Sequence, residues 1–177
     1  MIFIPTKLEG AFIIDLEQVT DERGFFARSW CTAELAEHGL NPNLSQCSVS
    51  FNEKRGTLRG MHYQGPPHQE TKIVRCTAGS IYDVIVDVRP DSATFKQWIS
   101  VELSAENRRM IYVPVGFAHG FQSLVEDSEV FYMVSEPYHP EVSLSVRWND
   151  PQFAIDWPYA ETRVISQRDR QYLDFTL

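Results

Sequence analysis

The 177-residue chain has little cysteine: Cys31, Cys47 and Cys76 are widely spaced and form no C-x-x-C pair. An odd, scattered set argues against a disulfide framework and for a reducing compartment, so the expected location is the cytoplasm. Positive charge is scarce as well, with 16 Lys and Arg against 24 Asp and Glu and a net charge of -8. Phosphate-seeking surfaces are basic overall, so neither nucleic acid nor an anionic membrane is an expected partner. No run approaches the roughly 20 apolar residues that cross a bilayer. The opening "MIFIPTKLEG" lacks the basic segment and long apolar stretch of a signal peptide. Repeats, linkers and low-complexity segments are missing, while 43% hydrophobic residues suffice for a core. These properties predict one domain over residues 1–177.

What the chain does have is a succession of short β-rich runs. They are "FIIDL" (12–16), "GFFARSW" (24–30), "QCSVSF" (46–51), "TLRGMHYQ" (57–64), "TKIVRC" (71–76) and "SIYDVIVDVR" (80–89). "KQWISVEL" (96–103), "RMIYVP" (109–114), "GFQSLV" (120–125), "EVFYMVS" (129–135) and "LSVRWN" (144–149) continue the series. Turn-formers separate them, which predicts an all-β sandwich or barrel. A helix is expected at "TAELAEHG" (32–39), capped by Thr32 and stopped by Gly39. Another is expected at "SQRDRQYL" (166–173), with Ser166 as cap and Asp169 third after it. In "SIYDVIVDVR" Asp83 and Asp87 share a face with Ile81 and Ile85. That face is either solvated, the simpler reading, or lines a polar cavity.

The stretch "TLRGMHYQGPPHQETKIVR" (57–75) concentrates chemistry around a Pro-Pro turn. With "PVGFAHGFQS" (114–123) it resembles the two motifs of a cupin, a jelly-roll barrel whose motifs carry His, His, Glu and a further His. His62 stands in place, but Gln64 and Lys72 replace the next His and the Glu, and His119 survives. A lysine ammonium repels a divalent cation, so the set His62, Gln64, Lys72 and His119 suits an anion or developing negative charge better than a metal. Histidine, lysine and tyrosine in one barrel suit proton abstraction beside a carbonyl. A base takes the proton, a cation steadies the enolate, and an acid on the other face returns a proton. A neighbouring carboxylate would fix the tautomer of the base. The residues alone leave open which of them does which.

The chain also resembles the dTDP-4-dehydrorhamnose 3,5-epimerases, metal-free cupins of nucleotide-deoxysugar synthesis. The marks are "DERGFF" (21–26), "LRGMHYQ" (58–64), "LSAENRRMIYVPVGFAHGF" (103–121), "VFYMVSEPY" (130–138), "WNDPQFAIDWP" (148–158) and "SQRD" (166–169). The resemblance implies a cupin-type jelly roll with a few short peripheral helices, acting on a nucleotide-diphosphate keto-deoxysugar without cofactor or metal. It implies His62 as general base, Asp169 as its carboxylate partner and Tyr132 as the acid on the opposite face. Lys72 and His119 would contact the keto sugar, while Arg23 and Arg59 would grip the pyrophosphate with bidentate donors. Gln46 and Tyr138 would meet the nucleotide, and Phe26 and Arg168 complete the substrate-binding set. A homodimer is implied, with N-terminal strands contributing across the interface. His68, after Pro-Pro, reads as a structural or solvent-facing bystander.

The chain departs from the family's pattern at Arg28, Cys47, Ser48 and Ser143, and has Arg168 where a lysine is usual. A carboxylate at position 28 could accept from a thymine N–H, whereas arginine only donates. That leaves cytosine or guanine as alternative bases. Epimerisation at one carbon only, a 3,4-ketoisomerase, a catalytically silent sugar-nucleotide binder and a metal-dependent cupin oxygenase are the competing readings. The intact His62, Tyr132 and Asp169 favour epimerisation over the ketoisomerase.

Overall fold

The computed structural model describes residues 1–176; Leu177, the last residue of the expected domain, lies outside the described residues. Fourteen strands and two short helices follow one another: β1 Ile2–Pro5, β2 Phe12–Asp15, β3 Val19–Asp21, β4 Gly24–Phe26, α1 Thr32–Glu37, β5 Gln46–Asn52, β6 Thr57–Gln64 and β7 Lys72–Ala78. Then come β8 Ser80–Asp87, β9 Trp98–Ser104, β10 Met110–Val113, β11 Phe117–Ser123, β12 Ser128–Val134, β13 Ser143–Ser145, β14 Val164–Ile165 and α2 Gln167–Arg170. One six-stranded sheet runs β1-β2-β10-β7-β12-β5 and another β13-β6-β11-β8-β9, with β14 also on β6. β3 and β4 form a separate hairpin. All pairings are antiparallel except that of β14 with β6. This is the jelly-roll sandwich the sequence predicts.

Alternation along the strands supplies three apolar layers. Between the sheets lie Val74, Cys76, Ile81, Ile85, Leu103, Ile111, Phe117 and Phe121. Val84, Val86 and Ala118 face outward from the second sheet and are covered by Val146, Phe153, Trp157 and Phe175 of the C-terminal segment. α1 lays Leu35 over Ile14, Ile73, Met110 and Met133 on the first sheet.

Several local expectations are corrected. β11 begins three residues before the expected run, because Phe117 and Ala118 are themselves core-facing. Cys31, not Thr32, is the N-cap of α1, and no side chain caps it; Thr32 is already helical. Ser166 does cap α2 by accepting from the Asp169 N–H, yet the helix ends at Arg170. The solvated reading of the Asp83 face fails: Asp83 and Asp87 are both fully buried. Asp87 is satisfied by Arg89, Ser92 and Thr94 at the end of its strand. Asp83 points into the sandwich, toward the site below.

Candidate active site

A cavity of about 580 Å³ opens between the sheets. β6 and β11 of one sheet send in Arg59, His62 and His119; β5, β7 and β12 of the facing sheet send in Ser48, Ser50, Lys72 and Tyr132; the start of α2 adds Arg168 and Asp169. An adjoining lobe of about 230 Å³ is lined by Gln46, Gln64, Glu70, Tyr138 and Ser143, and shares Ser48, His62, Lys72, Tyr132 and Arg168 with the first.

His62 Nε2 lies 2.9 Å from Asp169 Oδ1, joining residues 107 apart in sequence. The pairing places the imidazole N–H on Nε2 and leaves the lone pair on Nδ1. The ring remains 40% exposed, accessible to a ligand, while the carboxylate is 7% exposed. Burial works to raise the Asp169 carboxyl, but hydrogen bonds from His62, the Gly60 N–H and Ser166 hold it below the ordinary carboxylate value. α2 therefore aims its third residue at the imidazole.

On the facing sheet the half-buried Tyr132 lies edge-on to His119, ring centroids 6.1 Å apart. Desolvation, reinforced by the negative charge of Asp83, pushes its phenol well above the ordinary tyrosine value. A phenol in that state holds its proton at physiological pH. His119 Nε2 meets Asp83 Oδ2 at 2.8 Å, both side chains buried. Asp83 Oδ1 has no hydrogen-bond partner among the described residues. Lys72 Nζ pairs with Glu70 Oε1 at 2.9 Å and donates to the His62 carbonyl at 3.3 Å. Arg59 is steadied by Asn52 Oδ1 at 2.8 Å and the Phe51 carbonyl at 3.2 Å.

The residues expected to meet the nucleotide line the second lobe. Gln46 Oε1 accepts from the Tyr138 N–H at 3.2 Å, and Tyr138 is 54% exposed. Arg168 lies beside Tyr138 and Tyr172, which raise its pKa. Alternation along β5 turns Ser48 into the cavity and leaves Cys47 exposed outside it. Arg28 pairs with Glu34 of α1 at 2.5 Å and does not line the cavity. Arg23 and Phe26 are not brought to the cavity within one chain. They sit on the β3–β4 hairpin, Phe26 76% exposed and Arg23 paired with Asp21. His68, read as structural or solvent-facing, pairs with Glu136 and stacks on His139 with its side chain part exposed.

Asp83 and Glu70 escaped the reading of the sequence as site residues. The signal for Asp83 was present, since a carboxylate sharing the face of Ile81 and Ile85 is buried once that face is the inner one. For a metal the cavity is a poor host. The Lys72 ammonium stands in the same lining as its two imidazoles and would repel a divalent cation.

The family model described as dTDP-4-dehydrorhamnose 3,5-epimerase matches residues 5–176. The enzyme of that name from Methanothermobacter thermautotrophicus is 44% identical over 172 residues, 96% of this chain and 92% of the relative. The crystal structure of dTDP-4-dehydrorhamnose 3,5-epimerase from Elizabethkingia anophelis superposes with a TM-score of 0.96 at 37% identity, covering 99% of this chain and 96% of the other. The Legionella pneumophila dTDP-6-deoxy-D-glucose-3,5-epimerase, solved in complex with dTDP-4-keto-L-rhamnose, gives 0.87 at 40% identity over 94% of this chain and 88% of its own. By sequence and by fold, the chain belongs to the dTDP-4-dehydrorhamnose 3,5-epimerase family.

Proposed function

We propose that the chain epimerises C3 and C5 of dTDP-4-dehydro-6-deoxy-D-glucose, giving dTDP-4-dehydro-L-rhamnose. One observation carries the mechanism: an imidazole–carboxylate pair and a protonated phenol stand on opposite sheets and face the same cavity. The C4 carbonyl makes the hydrogens at C3 and C5 acidic. His62 Nδ1 takes one, Asp169 steadies the resulting imidazolium, and the electron pair moves onto the C4 oxygen as an enolate. Lys72, 11% exposed, supplies positive charge for that oxygen, with His119 on the adjoining wall. Tyr132 O–H then delivers a proton to the opposite face of the carbon, so the centre inverts. Arg59 and Arg168 suit the pyrophosphate, and Gln46 and Tyr138 the base.

The proposal includes a metal-free reaction, a single catalytic domain over residues 1–177, a cytoplasmic location and a homodimer. The dimer reading is supported by the exposed apolar residues Ile2, Val49 and Phe51 and by the projecting hairpin. A second copy would take Arg23 and Phe26 to the neighbouring cavity.

Deuterium uptake from heavy water, followed by NMR, tests the reaction. Exchange is expected at both C3 and C5 of dTDP-4-keto-6-deoxyglucose, faster than with the CDP or GDP analogues. No exchange with any of the three overturns the epimerase, and exchange at one carbon replaces it with a mono-epimerase.

A further inference from the structure

We propose that His68, Glu136 and His139 form a binding site for a divalent cation of the zinc class, separate from the reacting cavity. One ligand atom from each of the three lies within 4.8 Å of the other two. Glu136 Oε1 is 2.8 Å from His68 Nδ1 and 3.6 Å from His139 Nε2. Tetrahedral zinc with bonds of about 2.0–2.1 Å needs ligand atoms about 3.3 Å apart, which these two edges bracket. Two imidazoles and one carboxylate suit zinc, and three protein ligands leave a fourth position open to water.

Two further observations point to a built site. His139 turns its other nitrogen, Nδ1, to Glu141 Oε1 at 2.9 Å. This is the carboxylate–histidine arrangement that fixes the tautomer of a ligating imidazole and presents the lone pair of Nε2. Gln64, 3% exposed, ties the two ligand-bearing segments together from beneath. Its amide donates to the His68 carbonyl at 2.9 Å and the Pro137 carbonyl at 3.1 Å, and accepts from the His139 N–H at 2.6 Å. The backbones are therefore held in place before any ion arrives.

Ion entry has one geometric requirement. The two rings are stacked at 3.6 Å with an interplanar angle of 8°, so their lone pairs lie in nearly parallel planes. They must splay to converge on one ion, and their side chains, 35% and 27% exposed, have the solvent access for it. None of the three residues lines either lobe of the cavity, but Tyr138 lies between two of the ligands in sequence. A bound ion would brace that segment.

The test is calorimetric titration of the chelator-treated full-length protein with Zn²⁺ alone. One equivalent per chain is expected, with affinity falling as pH drops through the imidazole range near 6.5 because the ligands must be deprotonated. His68→Ala and His139→Gln should each weaken binding at least ~10-fold, and Glu141→Gln by about 10-fold, the lower end of effects from residues behind the ligands. His62→Ala should retain the full equivalent. Absence of saturable binding by the unaltered protein at ~100-fold metal excess overturns the site, as does binding that survives His68→Ala and His139→Gln or that disappears with His62→Ala.

Discussion

At the end of the cavity proposed to react, the three basic side chains each have a partner within the chain: His62 with Asp169, His119 with Asp83, Lys72 with Glu70. At the end proposed for the nucleotide, Tyr138 is half exposed, held through its N–H by Gln46, and Arg23 projects on a hairpin outside the cavity. The contrast separates two kinds of preparation. One end is organised before substrate arrives, as stabilising a developing enolate demands. The other is left open by the chain itself, with Tyr138 half exposed and the hairpin of Arg23 apart from the cavity.

The comparison can be broken at either end. His62→Ala should lower kcat by about 10²–10⁴-fold, the usual share of a general base, while calorimetry finds dTDP affinity within about twofold. A loss confined to KM would mean that His62 belongs to the binding end. Tyr138→Ala should do the opposite, raising KM by ~5- to 150-fold, equivalent to about 1–3 kcal/mol of base stacking, with kcat nearly unchanged. The smallest effect concerns acid stability. Because the folded Asp169 carboxyl titrates below its unfolded value, the unfolded chain takes up that proton first as pH falls. Its stabilisation is whole above about pH 4 and is lost as pH drops through the folded value. The gap in unfolding midpoint between the unaltered protein and Asp169→Asn should therefore narrow below about pH 4; a gap that widens there contradicts the pairing.

The same contrast explains what could be read from the sequence. β6 occupies the residues expected of it, 57–64, bounded by turn signals on both sides, although its register slips at the Gly60–Met61 step so that Arg59 and His62 both reach the cavity. His62 and Asp169 were nameable from their motifs, and the Ser166 cap is local chemistry that survives in any tertiary setting. Asp83 was not, since alternation divides a strand into two faces without saying which is inward. Its charge is met by His119, two residues along β11 from the residue opposite it, a contact made across 36 residues. The position of Arg28 against Glu34 was equally hidden, and it removes that arginine from the cavity wall of its own chain.

Gly60 and Gly120 lie where β6 and β11 touch, two residues from His62 and one from His119. A Cβ on Gly60 would sit 2.6 Å from the Gly120 Cα, and a Cβ on Gly120 would sit 2.6 Å from Met61 Sδ and 2.7 Å from the Arg59 carbonyl. Gly60 also has φ +139°, a backbone setting that side chains rarely adopt. Neither change relieves the other; each makes the other worse. In evolutionary terms the pair is a locked double: drift at one position opens no path at its neighbour.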